Sequence, residues 1–304
     1  ADAETRDEIV QRLFGGVQPT TFLQGFDRPN IHLAFQPKNS PRKQLLDFVD
    51  VRKGQSGIVY CSSRNKCETL ATALRDAGHS ALHYHAGMEK DDRRLAETRF
   101  QREDGLIVVA TVAFGMGVDK PDIRWVAHAD LPKSMESYYQ EIGRAGRDGA
   151  PADTLTLYGA DDVRLRRAQI DEGLAPSERK EADHGRLNAL LGLAEARRCR
   201  RRVLLRYFGD ETDGCGNCDL CADPPKIFDG TEAVRKALSA VLRTGEYFGA
   251  GHLIDVLRGT KTDRVKQRGH DDLPTFGIGK EYDKSQWQGI FRQMMGYDLI
   301  RPDM

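Results

Sequence analysis

The stretch Ile107-Val108-Val109-Ala110 is apolar at every position, so as a strand it carries hydrophobic side chains on both faces. Such a strand is at home only inside a sheet that is covered on both sides. It belongs to a series of short β-rich runs: Gly57 to Cys61, Ser80 to Tyr84, Leu106 to Ala110, Trp125 to His128 and Thr154 to Tyr158. Between the first two, Cys67, Leu70, Ala71, Leu74 and Ala77 repeat at helical spacing. Strand, helix, strand, helix at this pitch predicts an α/β lobe, a parallel sheet with helices on both faces. Upstream, Ile9, Val10, Leu13 and Phe14 share one face of a helix over residues 4–14, which Gly15-Gly16 ends. The segment Phe26-Asp27-Arg28-Pro29-Asn30 is turn-like, since Pro29 disfavours helix just before it.

After Tyr158 the pattern changes. Residues 161–208 are charged and helical, with Leu187, Leu190, Leu191, Val203, Leu204 and Leu205 as packing surface. A Cys- and Gly-rich knot follows at 213–225, closed by Pro224-Pro225. Three short helical patterns come last: Glu232 to Leu242, Gly251 to Leu257 and Ser285 to Met295. The 304 residues, 39% hydrophobic and 30% charged, fit a soluble globular chain of two or three domains. No apolar run approaches the roughly 18 residues of a membrane span. The longest candidate, Leu187 to Ala196, is broken by Asn188 and Glu195. The acidic, polar start from Ala1 to Val10 is no signal peptide, and its lack of an initiator Met suggests a processed or excised piece.

Charge is balanced, with 46 basic and 46 acidic residues, so net charge gives no hint of a nucleic-acid partner. Locally, Arg197, Arg198, Arg200, Arg201, Arg202 and Arg206 fall within ten residues, either as a solvated helix face or as a phosphate-binding one. Cys199 sits inside this run, on a helix, and Cys215, Cys218 and Cys221 follow as Cys-x-x-Cys-x-x-Cys. Four thiolates close a tetrahedral zinc site, and two-residue gaps let the chain wrap one ion. A thioredoxin-like redox pair lacks its βαβ context here, and iron–sulfur clusters usually use other spacings. Cys61 and Cys67, on an apolar strand and an apolar helix face, read as packing residues. Few cysteines outside a metal-like cluster favour a reducing compartment.

In Gln140-Glu141-Ile142-Gly143-Arg144-Ala145-Gly146-Arg147-Asp148-Gly149 two arginines lie three apart, each preceded by Gly. On a helical turn both guanidiniums point the same way. Two such forks suit a triphosphate, but a helix end with two surface arginines has the same spacing.

Gln-x-x-Gly-Arg-x-Gly-Arg resembles motif VI of superfamily 2 helicases, in the form seen in RecQ helicases. Val109 to Pro121 resembles their motif V, Gly57 to Arg64 their motif IV, and Tyr84-His85-Ala86-Gly87-Met88 the short motif between. Arg201-Arg202-x-Leu204-Leu205-x-Tyr207-Phe208-Gly209 with the Cys run resembles the RecQ zinc module, and residues 226–304 resemble its winged helix. Each helicase motif is expected where a strand ends, at the carboxyl edge of the sheet.

The resemblance implies an ATP-dependent 3′→5′ DNA helicase acting in DNA repair or recombination. Arg147 would be the arginine finger and Arg144 a second phosphate contact, with Gly117, Asp119 and Gln140 facing the nucleotide. Ser62, Arg64, His85, Gly87 and Thr111 would line a track for single-stranded DNA. Arg268 and Lys280, in basic Gly-flanked loops, would meet duplex DNA. Zn2+ would be structural, held by Cys199, Cys215, Cys218 and Cys221, while ATP and Mg2+ serve the complete enzyme. No Gly-x-x-x-x-Gly-Lys-Ser/Thr loop occurs, so the first, ATP-gripping lobe is expected to be missing. Residues 1–27 then form its tail and hinge, 28–159 the second RecA-like lobe, 160–225 the helical zinc-binding module, and 226–304 a winged helix truncated before its wing. Such an enzyme works in the cytoplasm on the nucleoid of a bacterium, or in a eukaryotic nucleus. A zinc-containing winged-helix DNA-binding regulator without ATPase activity is the alternative.

Overall fold

Strands with two apolar faces need two cores, and the chain supplies both. The structure, a computed structural model, describes residues 3–21, 25–111, 114, 119–225, 227–297 and 299–300, and it falls into two compact units, 1–225 and 226–304. The first unit begins with helix α1 (Ala3–Phe14), strand β1 (Ile31–Pro37), α2 (Pro41–Asp50) and β2 (Gly57–Tyr60). It continues with α3 (Arg64–Asp76), β3 (Ala81–Tyr84), α4 (Lys90–Arg102), β4 (Ile107–Ala110) and β5 (Trp125–His128). Then come α5 (Met135–Ile142), β6 (Ala152–Tyr158), α6 (Ala160–Asp171), α7 (Ser177–Ala194), α8 (Arg200–Tyr207) and the single turn α9 (Asp219–Ala222).

Every strand pairing is parallel, in the order β1-β6-β5-β2-β4-β3. Alternate residues of one strand serve opposite cores. Ile107 and Val109 join Val59, Leu70, Leu74 and Trp125 on the face of α2 and α3. Val108 and Ala110 join Ile58, Tyr60, Phe100 and Phe114 on the face of α4. Strand β2 has β4 on one side and β5 on the other, which makes its carboxyl end the switch point where an open α/β sheet leaves a crevice.

Strand β1 is additional to the expected series. It alternates, with Ile31, Leu33 and Phe35 buried, and among the described residues pairs within the sheet only with β6. An edge strand of this kind lacks the all-apolar run that marks its neighbours. Its free side is covered by the cysteine-rich segment. Phe35 N–H donates to Asp219 Oδ2 at 3.0 Å, and Leu33 bridges to Cys218. Leu187, Leu190, Leu191 and Leu204 of α7 and α8 pack with Ile31, Leu33 and Tyr138, so the charged helical segment shares a core with β1.

The second unit consists of α10 (Thr231–Arg243), α11 (Ala250–Arg258), α12 (Asp263–Gln267), a 3-10 turn at His270–Asp272 and α13 (Lys284–Gly296). Its own core is built on Ala237, Leu253, Ile254, Leu257, Trp287 and Phe291. Helix α13 starts on a reciprocal Asp283–Gln286 capping box and turns Trp287, Ile290, Phe291 and Met294 inward, as their spacing predicts. Among the described residues no helix is long and apolar enough to cross a membrane.

Candidate functional site

The residues expected to line a nucleic-acid track follow three adjacent strands. Ser62 and Arg64 come after β2, Thr111 after β4, and His85 and Gly87 after β3, in the spatial order of those strands. They differ in what they offer. Ser63, not Ser62, caps α3, accepting Lys66 N–H at 3.3 Å. The Ser62 N–H is already given to Asp130 Oδ2 at 2.9 Å, which leaves its hydroxyl as the group available to a ligand. Arg64 is exposed, and its guanidinium lies against Gly87, where a Cβ would come within 2.9 Å of Nη1. Thr111 is half-buried, with its N–H on Tyr84 O at 3.2 Å. His85 departs from expectation: its ring is buried, with Nε2 3.0 Å from Glu68 Oε1. Its ring packs the loop instead of facing outward.

Beneath the row lies a charge cluster that motif reading overlooks. Lys38 Nζ is 2.8 Å from Asp130 Oδ1 and 2.6 Å from Asp162 Oδ1, and Lys66 Nζ is 2.5 Å from Asp130 Oδ1. Burial opposes the Asp130 charge, but Lys38 and Lys66 outweigh it and hold the carboxyl well below the usual range. Burial pushes Asp162 the other way, upward.

The arginine pair lies elsewhere on the sheet. Helix α5 ends at Ile142, so Arg144 and Arg147 stand on a turn and not on a helix, as their spacing suggests. Its Gly146 N–H donates to Ile123 O at 2.8 Å, and Asp148 N–H to Pro121 O at 3.3 Å. Asn30 Nδ2 donates to Gly146 O at 2.9 Å and Ala150 O at 2.8 Å. Asn30, Ile123 and Ala150 precede β1, β5 and β6, so the turn is anchored at the amino edge of the sheet, opposite the carboxyl edge where it is expected. Arg28 adds three more bonds: Nη1 to Gly143 O at 3.2 Å, and Nη2 to Ala145 O at 3.0 Å and Gly146 O at 2.9 Å. Gly146 has φ +57°, and a Cβ there would stand 2.5 Å from Asn30 Nδ2, so the turn requires glycine.

On this turn Arg147 faces outward, with Nη1 2.7 Å from Asp119 Oδ1 and the side chains 36% and 84% exposed. Arg144 lies close to the Tyr60 hydroxyl, whose acidity is suppressed mainly by burial. Gln140 is exposed on α5. Gly117 lies outside the described residues. Helix α5 is tied to the sheet by a buried pair, His128 Nε2 at 2.9 Å from Glu141 Oε2, with His128 Nδ1 3.1 Å from Thr156 Oγ1.

The four cysteines expected at a metal converge, with sulfurs all within 4.8 Å of one another. Cys199 and Cys215 sulfurs are 3.3 Å apart, and Cys215 and Cys221 sulfurs 3.9 Å. Tetrahedral Zn–S bonds of about 2.3 Å put sulfurs roughly 3.8 Å apart, so one Zn2+ fits. Burial raises the Cys215 thiol. At Cys221 burial acts the same way, but N–H and thiol donors outweigh it and bring the thiol to about 7, near the thiolate a soft metal needs. Cys199 precedes α8 instead of lying on it.

The arginine run divides. Arg197, Arg198 and Arg206 are exposed, whereas Arg200 and Arg201 are buried latches. Arg200 Nε is 2.6 Å from Asp219 Oδ1 and its Nη1 donates to Leu193 O at 2.7 Å, while Arg201 donates to Ile31 O. The remaining leftovers, Cys61 and Cys67, are buried with sulfurs 2.8 Å apart.

In the second unit Arg268 is exposed and lies 5.7 Å over the Phe248 ring, beside Arg264 at 5.4 Å. Lys280 is exposed, and its stem rests on Gly259 and Gly277 at the end of α11, where its charge also complements the helix C-terminus.

The sequence matches the helicase conserved C-terminal domain over residues 40–149, the RecQ zinc-binding domain over 160–222 and the RQC domain over 224–304. It is 44% identical over 303 residues to the ATP-dependent DNA helicase RecQ of Haemophilus influenzae, covering 99% of this chain and 48% of that protein. To the protein of the same name in Bacillus subtilis it is 33% identical over 302 residues, covering 99% and 51%. Among solved structures it is similar to the E. coli DEAD-box protein SrmB, at 26% identity and a TM-score of 0.41, over 45% of this chain and 82% of that one. The chain thus spans about half the length of the curated relatives it matches.

Proposed function

This chain belongs to the RecQ family, and from that premise we propose that it is the second motor lobe, zinc module and duplex-binding domain of an ATP-dependent 3′→5′ DNA helicase. The observation that carries the reading is Arg147, turned outward on a turn fixed by five donors from Arg28 and Asn30. A preorganised guanidinium is what phosphoryl transfer needs from a neighbouring lobe, because charge on the equatorial oxygens has to be met without reorganisation. ATP with Mg2+ would be gripped by a first lobe, and α1, which leaves Leu13 and Phe14 exposed, offers that lobe an apolar face. Asp119, with Gln140 and Gly117, would then lie at the nucleotide.

Single-stranded DNA would run along the row from Ser62 and Arg64 through Thr111 to Gly87, held by the backbone and not read by base. Duplex DNA would meet the second unit at Arg268 and Lys280. In the sequence, only seven residues separate Thr111, at the end of β4, from Asp119, beside Arg147, which would tie the track closely to the nucleotide side. Repair or recombination on the nucleoid, or in a nucleus, is the setting that suits such a motor.

The test is strand separation by the full-length enzyme that contains this chain. A duplex with a 3′ single-stranded tail should be unwound with ATP and not with a non-hydrolysable analogue. Binding at one sequence-specific site, with no nucleotide effect, would instead identify a zinc-containing winged-helix regulator.

A further inference from the structure

We infer that Arg28, together with Asn30, is a positioning residue for nucleotide turnover, and that the strap from Phe26 to Asn30 seats the Arg144–Arg147 turn on the zinc module. The inference rests on the motor-lobe reading, which assigns Arg147 its role.

Two sets of contacts meet on the strap. On one side, Arg28 and Asn30 donate to the carbonyls of Gly143, Ala145, Gly146 and Ala150. Gly143 O and Ala145 O lie just past the end of α5, where carbonyls lose their helical partners, Gly146 O also accepts the Gly149 N–H at 3.0 Å, and a cation there complements the C-terminal dipole of α5. On the other side, the strap is held by the zinc module. The Phe26 ring stacks on Phe208 at 4.7 Å, and Phe26 N–H donates to Asp210 Oδ2 at 2.8 Å. Asp27 Oδ1 lies 3.4 Å from Arg201, and Asn217 Nδ2 donates to Pro29 O at 2.9 Å. Asn217 stands between Cys215 and Cys218, so the loop that would wrap the metal touches the strap that holds the arginine turn.

A helix cap alone would account for one or two of these bonds. Five donors converging on one turn, from a segment more than a hundred residues distant in sequence, fix where its outward guanidinium stands. Geometry is what an arginine finger supplies, and a displacement of about 1 Å at such a group costs on the order of 100-fold in rate.

The test is a double-mutant cycle on DNA-stimulated ATP hydrolysis by the full-length enzyme. Arg28→Ala should lower kcat by roughly 10- to 100-fold, with KM for ATP within about threefold and zinc still at one per chain. Arg28→Lys should recover little, because one ammonium cannot span three carbonyls. In an Arg147→Ala background the same Arg28→Ala change should lower kcat by less than about twofold, since the residue it positions is gone. Equal losses in both backgrounds would reduce Arg28 to a general stabiliser and overturn the inference. Should Arg28→Ala fail to fold, Asn30→Ala removes two of the five donors and carries the same cycle. A folded Asn30→Ala enzyme with wild-type kcat then overturns it. If Arg147→Ala itself turns over normally, the motor-lobe reading fails. If Arg147→Ala is impaired and folded Arg28→Ala is not, only the strap fails.

Discussion

The contact between Arg147 and Asp119 is exposed on both sides, and pairs of that kind are worth about 0 to 1 kcal/mol. A phosphate competes easily with such a partner. In the full-length enzyme Arg147→Ala should cut turnover by about 10³-fold or more, with DNA affinity and zinc content unchanged. Arg147→Lys should do almost as badly, because a point charge does not reproduce a planar fork. Steady-state hydrolysis and a DNA-binding titration check both, and turnover above about a tenth of wild type ends the assignment. Asp130 makes the opposite kind of contact: it is buried between Lys38 and Lys66, and it fixes the Ser62 loop. Its folded pKa lies below the unfolded one, so its stabilising contribution is present above the ordinary carboxylate range and is lost as pH falls through the folded value. Asp130→Asn should therefore cost about 3 kcal/mol near neutrality, as breaking a buried pair does, and flatten the fall in stability below about pH 4. Denaturant melts at several pH values measure this, and a parallel acid branch in the variant would contradict it.

At the scale of elements, the cysteine-rich segment closes the edge of β1 and contributes Cys218, fully buried, to the core shared by α7 and α8. Metal affinity is then folding free energy, roughly 10 kcal/mol or more at sites of this type. Chelation or Cys218→Ala should expose β1, with loss of one zinc per chain and rapid proteolysis of residues 160–225. A metal-free Cys218→Ala protein with normal melting would remove the structural role. Elements differ in how far the sequence reveals them. Ile107 to Ala110 and its partners are legible because burial on two faces forces an all-apolar run. The four cysteines are legible because chelation fixes their spacing. Strand β1 is faint because an alternating edge strand resembles many segments that are not strands. The place of the arginine turn is not legible at all. Gly143 to Gly149 read as a helix end, and nothing local says that Asn30 and Ile123 draw it to the amino edge of the sheet. The same holds for Arg200 and Arg201, whose partners Asp219, Leu193 and Ile31 are set by tertiary contacts, and for the inward turn of His85 onto Glu68.

For the whole molecule, balanced charge means that affinity for nucleic acid has to come from placement and not from an overall field. Exposed cations occur on both units, among them Arg64 at the carboxyl edge of the sheet, Arg197, Arg198 and Arg206 around α8, and Arg268, Arg264 and Lys280 on the helical unit. Each neutralised phosphate releases counterions, so the logarithm of affinity should fall linearly with that of salt, by about 0.7 per contact for single strands. The 304-residue chain should therefore bind single-stranded DNA weakly and with a measurable salt slope. It should hydrolyse ATP negligibly, since its sequence contains no phosphate loop to hold the β- and γ-phosphates for Arg147. Arg64→Ala should lower the single-strand slope by about one contact's worth, uniformly across sequences, as expected of a side chain on the proposed phosphate track. Arg268→Ala should leave that slope alone and act instead on binding to duplex. Fluorescence anisotropy with a tailed and a blunt oligonucleotide, each over a salt series, separates the two. If Arg268→Ala and Arg64→Ala changed the same slope, the proposal of a separate single-strand track and duplex site would fail. Robust hydrolysis by the chain alone would require a nucleotide grip that lies outside Arg144, Arg147 and Asp119.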